Sequence, residues 1–329
     1  MTQSLLEVRG LNVSFGGGAN AVHAVRDVSF SIQAGERFAL VGESGSGKSV
    51  TALSVLRLVA DANTSGEILW AGENLLDKSE RQMRGIRGAD IAMIFQEPMT
   101  ALNPLYPIGR QIVEAIELHE GLPLQAAEKR AIALLERTGI PAAGQKYYSY
   151  PHQLSGGQRQ RAMIAMALLF TPDLVIMDEP TSALDVVAQR SLMSQIKQLQ
   201  EKLGFAVIFV THDMSLVTHY SDRLAVMYGG QIAEASVTQL LFDQPLHPYS
   251  KGLLDAFPSI RGPRRVLTGI PGTPPDLAHP PAGCRFQPRC PVAMAVCATR
   301  EPDLYDVRAS KVRCLLYDPT IAAPEARAQ

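Results

Sequence analysis

The stretch "RFALVGESGSGKS", Arg37 to Ser49, constrains this chain more than any other. A strand pattern runs straight into a glycine-rich turn, which ends on Lys-Ser at the head of the helical pattern "KSVTALSVL". Gly42 to Ser49 fits G-x-x-x-x-G-K-[ST], a loop whose glycines let backbone N–H groups converge on phosphate oxygens. Gly42, Ser44, Gly45, Ser46 and Gly47 would form the cradle, Lys48 would add a cation beside the β- and γ-phosphates, and Ser49 a hydroxyl for Mg²⁺. A plain glycine turn between strand and helix has no need of the Lys-Ser ending. Such a loop works at the carboxyl end of a buried parallel strand, so it commits the chain to an α/β architecture.

"DLVIMDEP" and "FAVIFVTHD" are further strands apolar on both faces, as a helix-covered, largely parallel sheet requires. "LLEVRGLNVSF" and "AVRDVSFSI" half-alternate instead, and read as an antiparallel β subdomain at an edge. Between Pro107 and Tyr150, "IGRQIVEAIELH" and "QAAEKRAIALLERTG" space apolar residues three and four apart, with Gly139 as a helix stop. A compact helical subdomain is therefore expected at about residues 103–160, inside a nucleotide-binding domain of residues 1–255. Of 22 prolines, 12 fall between Pro258 and Pro324, so residues 256–329 are expected to form a small loop-rich carboxy-terminal module.

Composition narrows the partners. With 31 basic against 32 acidic residues, a formal charge of −1 argues against a dominant basic surface, and no nucleic acid is expected. The amino terminus "MTQSLLEVRGLNVSF" has no signal-like charged and apolar regions. Apolar runs such as "AMIAMALLF" fall short of the roughly 20 residues that span a bilayer, so any membrane role is expected to run through a separate partner.

Two further motifs carry chemistry. "LVIMDEP" places Asp178 and Glu179 at the carboxyl end of a buried strand, where Asp178 would hold the Mg²⁺ shell and Glu179 would polarise the attacking water. Without a phosphate loop upstream, the pair would read as a solvated acidic turn. "LSGGQRQR" opens a long helix with Ser155, Gly156, Gly157 and Gln158, and a helix amino terminus of small residues is a second anion site. One nucleotide does not need two such sites, so the economical reading is that this loop closes over a nucleotide held by another subunit.

In this order of motifs, residues 5–240 resemble the ATP-binding cassette (ABC) ATPases. The resemblance implies a head-to-tail dimer with ATP sandwiched between one subunit's phosphate loop and the other's signature loop. It further implies that Phe15 stacks on adenine, that Gln96 in "MIFQEP" senses Mg²⁺ and the lytic water, that Asp185 in "SALD" communicates across the dimer, and that His212 in "VTHD" contacts the γ-phosphate. Taken singly, a Phe on a strand, a surface Gln or a hydrogen-bonded His would have ordinary structural roles. No motif position is degenerate, which favours an active ATPase over a regulatory subunit. One cassette and no long interruption between Gln96 and Leu154 favour an importer subunit over a ribosome-associated or repair ATPase.

"FQEPMTALNPLYPIGRQI", "YPHQLSGGQRQR", "PLHPYSKGLLDAFPSIRG" and "IPGTPPDLAHPPAGCRFQPRCP" narrow the resemblance to the dipeptide and oligopeptide importer ATPases, over nearly the whole chain. Relatives in that group also carry nickel or glutathione. The implied assembly is a second homologous ATPase in a heterodimer, two membrane permeases and an extracytoplasmic binding protein, with this chain peripheral on the cytoplasmic face of the bacterial inner membrane. The segment after Gln96 and the helical insertion would receive a permease coupling helix.

Four cysteines, Cys284, Cys290, Cys297 and Cys314, are spaced C-x5-C-x6-C-x16-C. Zinc sites favour tighter C-x2–4-C knuckles, and a reducing cytosol disfavours disulfides. Four thiolates are also the complement of one [4Fe–4S] cluster, and the residues alone leave a metal site and inert thiols both open. The resemblance implies the cluster, because a subset of dipeptide-importer ATPases has a four-cysteine iron–sulfur site after an "NPRCP"-like motif, here "QPRCP".

Overall fold

The computed structural model describes residues 4–18, 21–96, 101–182, 184–256 and 269–321. Motif residues at 97–100, 183 and 257–268 lie outside these, as does Pro324. The chain divides into two compact units, Met1–Asp77 with Phe209–Gln329, and Lys78–Ile208.

The first unit opens with β1 (Leu6–Phe15), β2 (Val22–Ile32), β3 (Arg37–Val41), α1 (Lys48–Val55), β4 (Ala62–Trp70) and β5 (Glu73–Asn74). Strands β2-β1-β4-β5 make the expected antiparallel sheet. Alternation puts Leu6, Val8, Leu11 and Val13 of β1 in the core. The register slips between Val8 and Leu11, where Gly10 turns left-handed at φ 52° and its N–H donates to Ser29 Oγ.

The second unit holds α2 (Glu80–Ile86), β6 (Ile91–Ile94), α3 (Ile108–Glu120), α4 (Leu124–Arg137), α5 (Ala143–Lys146), α6 (Gly156–Ala167), β7 (Leu174–Asp178) and α7 (Val186–Leu203). Strands β6 and β7 pair in parallel, and β7 is buried along its whole length. The helical insertion forms because α3 and α4 each bury one stripe: Ile108, Ile112, Val113 and Ile116 on one, Ala127, Ala131, Leu134 and Leu135 on the other. Pro107 and Pro123 stand at the two helix starts, and Gly121 ends α3 in the left-handed conformation. Gly109 lets the Tyr147 ring lie against α3, since a Cβ there would come within 2.1 Å of it.

The chain returns to the first unit within β8 (Ala206–Thr211), then forms α8 (Met214–Tyr220), β9 (Arg223–Tyr228), β10 (Gln231–Val237), α9 (Thr238–Asp243), α10 (Pro248–Asp255), β11 (Tyr305–Val307) and β12 (Ser310–Val312). In this unit the strand order is β11-β12-β10-β9-β3, with β3 and β9 parallel. Phe38 to Val41 and Leu224 to Met227 are at most 1% exposed, and burying each large apolar side chain stabilises the fold by about 1.5–3 kcal/mol. The carboxy-terminal residues are not only loops: β12 pairs with β10, so they extend the sheet that carries the phosphate loop.

Candidate functional site

In the first unit, β3 delivers the chain into the loop and α1 takes it out. Gly42 (φ 155°) passes so near β9 that a Cβ would lie 2.2 Å from the Met227 carbonyl oxygen. Gly47 (φ 98°) is held likewise against Ala24, whose carbonyl oxygen would be 2.6 Å from a Cβ. Both ends of the loop are thus fixed, whereas Gly45 at the tip has open space around it and Ser44 and Gly45 are exposed. Helix α1 begins with no side-chain cap and no acidic residue in its first turn, so its N–H groups and positive dipole end suit an anion. The Lys48 ammonium, in a side chain only 5% exposed, donates to the carbonyl oxygens of Gly42 and Glu43 at 2.8 Å each and to Ser46 Oγ at 3.4 Å. A phosphate oxygen is a stronger acceptor for that charge than these neutral groups.

The first unit also carries two other expected site residues, His212 and Phe15. His212 follows β8 and is exposed, while Asp213 caps α8 by accepting from Ser215 N–H at 2.8 Å. Phe15 ends β1, half-buried, paired in register with Val22 and Ala62.

In the second unit, Gln96 and Glu179 come together: Gln96 Nε2 donates to Glu179 Oε2 at 3.0 Å. Glu179 sits at φ 45°, a left-handed backbone that costs a non-glycine residue about 1–3 kcal/mol. Asp178, one residue earlier, is 6% exposed at the end of β7. Ser155 caps α6, its Oγ accepting from Gln158 N–H at 3.3 Å while Gln158 Oε1 accepts from Ser155 N–H at 3.1 Å. The Ser155 hydroxyl proton remains a donor for an incoming phosphate, and beside Gly157 there is nothing within 4 Å of a Cβ position. Asp185 caps α7, accepting from Val187 and Ala188 N–H at 3.0 and 2.9 Å.

The four thiols lie in the first unit and none forms a disulfide. Cys284 N–H donates to the Cys297 carbonyl at 2.8 Å, an approach that requires Gly283, since a Cβ there would be 2.3 Å from the same oxygen. Burial, and then the charges of the neighbouring thiols, push Cys284 up to about 11 and Cys314 up to about 12; Cys290 is raised by the same causes. Cys284, Cys290 and Cys314 are therefore protonated at neutral pH unless a metal displaces the protons. Among the described residues, no three His, Cys, Asp or Glu side chains are set at metal-holding geometry, so the expected iron–sulfur site is not supported by the arrangement of the ligands.

Sequence reasoning missed Glu43, Tyr249, Arg285 and Arg289. Glu43 N–H donates to Tyr249 Oη at 2.9 Å, and Arg289 Nη1 and Nη2 donate to the two Glu43 carboxylate oxygens at 2.7 and 3.0 Å. Glu43 occupies a freely variable place in the loop pattern, and its partners lie more than 200 residues away, so no local signal marks them.

A strand-loop-helix phosphate cradle with a serine-glycine helix start and an acidic strand end defines an ATPase of the ATP-binding cassette class. The family model "ABC transporter" matches residues 25–182, and "Oligopeptide/dipeptide transporter, C-terminal region" matches residues 233–297. The dipeptide transport ATP-binding protein DppD of Bacillus subtilis is 48% identical over 298 residues, 90% of this chain and 89% of that protein. The oligopeptide transport ATP-binding protein OppD of the same organism is 46% identical over 307 residues, 92% and 86% of the two chains. The ATP-binding cassette MJ0796, solved as a dimer in a post-hydrolysis state with ADP and phosphate, superposes at a TM-score of 0.64 with 26% identity, over 71% of this chain and 98% of its own. The chain belongs to the ATP-binding subunits of dipeptide and oligopeptide ABC importers. It binds ATP and couples hydrolysis to peptide import through membrane permeases; no helix among its described residues is long and apolar enough to cross a membrane itself.

Proposed function

We propose that this chain hydrolyses ATP with its own residues plus a signature loop from a second, homologous ATPase, in a heterodimer on the cytoplasmic face of the membrane. The observation that carries this reading is the cradle of residues 42–49, with the buried Lys48 ammonium donating to the Gly42 and Glu43 carbonyl oxygens at its base. In the proposed reaction, water attacks the γ-phosphorus in line, the bond to the β–γ bridging oxygen breaks, and ADP and phosphate leave. Glu179 orients the water and takes its proton, held by Gln96 at 3.0 Å. Lys48 and the cradle N–H groups stabilise charge on the phosphates, as do the partner's Ser155-type hydroxyl and small-residue helix start. His212 donates to the γ-phosphate, Phe15 stacks on adenine, and Asp185 relays the state of one site to the other. Ser49, Gln96 and Asp178 are hard oxygen donors suited to Mg²⁺, which would neutralise phosphate charge there.

Residues 1–255 are assigned to the nucleotide-binding domain, with the helical subdomain at about 103–160, and 256–329 to the carboxy-terminal module. Two permeases and an extracytoplasmic binding protein complete the proposed assembly. Leu105 and Tyr106, 78% and 51% exposed, support a permease contact on the second unit. Gln111 and Asn103 rigidify their loop: Gln111 Oε1 accepts from Asn103 N–H, and Gln111 Nε2 donates to the carbonyls of Asn103 and Tyr106, all within 3.0 Å. A preformed loop presenting two large apolar side chains is suited to anchor a partner helix. Leu105→Asp is expected to lower peptide uptake by the assembled importer by about tenfold or more while leaving ATP binding by the chain unchanged. Wild-type uptake in that variant would remove the loop from the permease contact.

We further propose that Cys284, Cys290, Cys297 and Cys314 hold a [4Fe–4S] cluster as a structural staple. The support is the donor set: four free, soft thiols in a proline-rich segment short of regular structure. Anaerobic purification followed by iron and acid-labile sulfide analysis should give about four irons per chain. Iron-free, colourless protein after reconstitution would contradict it.

A further inference from the structure

Of the two arginines of "CRFQPRC", Arg289 reaches the phosphate loop and Arg285 the turn beside it. Arg289, 7% exposed, forks onto the Glu43 carboxylate, and its Nε donates to the Pro271 carbonyl at 2.8 Å. Arg285, 5% exposed, donates to the Gly229 carbonyl. The next residue, Gly230, donates its N–H to the Ser46 carbonyl at 3.0 Å, so Arg285 holds the turn that supports the loop. Glu43 is then fixed on three sides: by Arg289 at its carboxylate, by Tyr249 at its N–H, and by Lys48 at its carbonyl.

A carboxylate in a phosphate cradle is an electrostatic liability, because it stands beside the site where the triphosphate must bind. Arg289 neutralises it with a planar, bidentate pair and holds it in one place. We propose that Arg289 is a positioning residue for ATP: through Glu43 it sets the charge and shape of the cradle, so that the carboxy-terminal module governs how tightly the nucleotide is held. The inference rests on the reading of residues 42–49 as the cradle for the phosphates of ATP. It accounts for a feature that hydrolysis does not need, the burial of two arginines from the carboxy-terminal module on the loop and on the turn that supports it.

The test is calorimetric titration of Mg²⁺-free ATP into the full-length chain, with thermal denaturation run alongside. Arg289→Gln is expected to weaken ATP binding by about tenfold, and Arg289→Lys, which keeps the charge but loses the fork, by about threefold. The telling variant is Glu43→Gln combined with Arg289→Gln: once the bare carboxylate is gone, affinity should recover to within about threefold of wild type. A purely structural arginine would lower thermal stability in all these variants with ATP affinity unmoved, and that result would overturn the inference. Further weakening in the double variant would also overturn it. If Arg289→Gln does not fold, Arg289→Lys against Glu43→Gln carries the same comparison: Arg289→Lys must bind ATP more weakly than wild type, and wild-type affinity in it would overturn the inference. Lys48→Ala separates the two levels of argument, since retained ATP binding there would overturn the cradle reading itself.

Discussion

Glu179→Gln is expected to lower ATP turnover by the assembled importer by about a thousandfold while leaving ATP binding close to wild type. Glutamine matches the shape of glutamate, and its amide oxygen can still accept from Gln96 Nε2, so the 3.0 Å contact and the local backbone survive. What is lost is the negative charge that polarises water and receives its proton. The φ of 45° strengthens the expectation: a left-handed glutamate immediately after a buried strand is a strained conformation, and such strain persists where surrounding structure holds a side chain for a task. Phosphate release and bound-nucleotide content should be measured together. Near-normal turnover would remove Glu179 from the role of base, and loss of binding with turnover would assign it to nucleotide retention instead.

Gly42→Ala is expected to cost about 3 kcal/mol or more of stability and to abolish ATP binding, whereas Gly45→Ala should cost about 1 kcal/mol. Both glycines have positive φ, so backbone conformation alone does not separate them. Contact does. A Cβ on Gly42 would sit 2.2 Å from the Met227 carbonyl of the paired strand β9, where neither backbone can retreat without breaking the β3–β9 ladder. A Cβ on Gly45 meets nothing within 4 Å. Thermal denaturation of the two variants beside wild type reads the difference, and equal destabilisation would mean that the loop is not pinned as described.

Much of this was legible in the sequence because it is local. Buried parallel strands, the loop pattern, the helical periodicity of residues 108–137 and the Ser155 helix start each announce themselves within a few residues. The pairing of β12 with β10 was not legible, since short strands in a proline-rich segment carry no alternation to read. Nor was the grip of Arg289 on Glu43, 246 residues apart, because an ion pair between distant positions leaves no spacing pattern. Asp185 illustrates the converse. Its motif points to communication across the dimer, while the structure gives it an additional duty as the cap of the 18-residue helix α7. An Asp185 variant will therefore mix two effects, and a cap alone is worth about 1 kcal/mol.

The central claim is that ATP hydrolysis by this chain drives peptide import. Its most direct test is peptide accumulation in proteoliposomes holding the complete importer, with ATP enclosed on the side of the ATPases. Uptake of dipeptides or oligopeptides against their gradient is expected to need ATP and to be lost in Glu179→Gln. Peptide accumulation that continues in that variant, or ATP hydrolysis by the wild type that no peptide stimulates and that moves none, would contradict it.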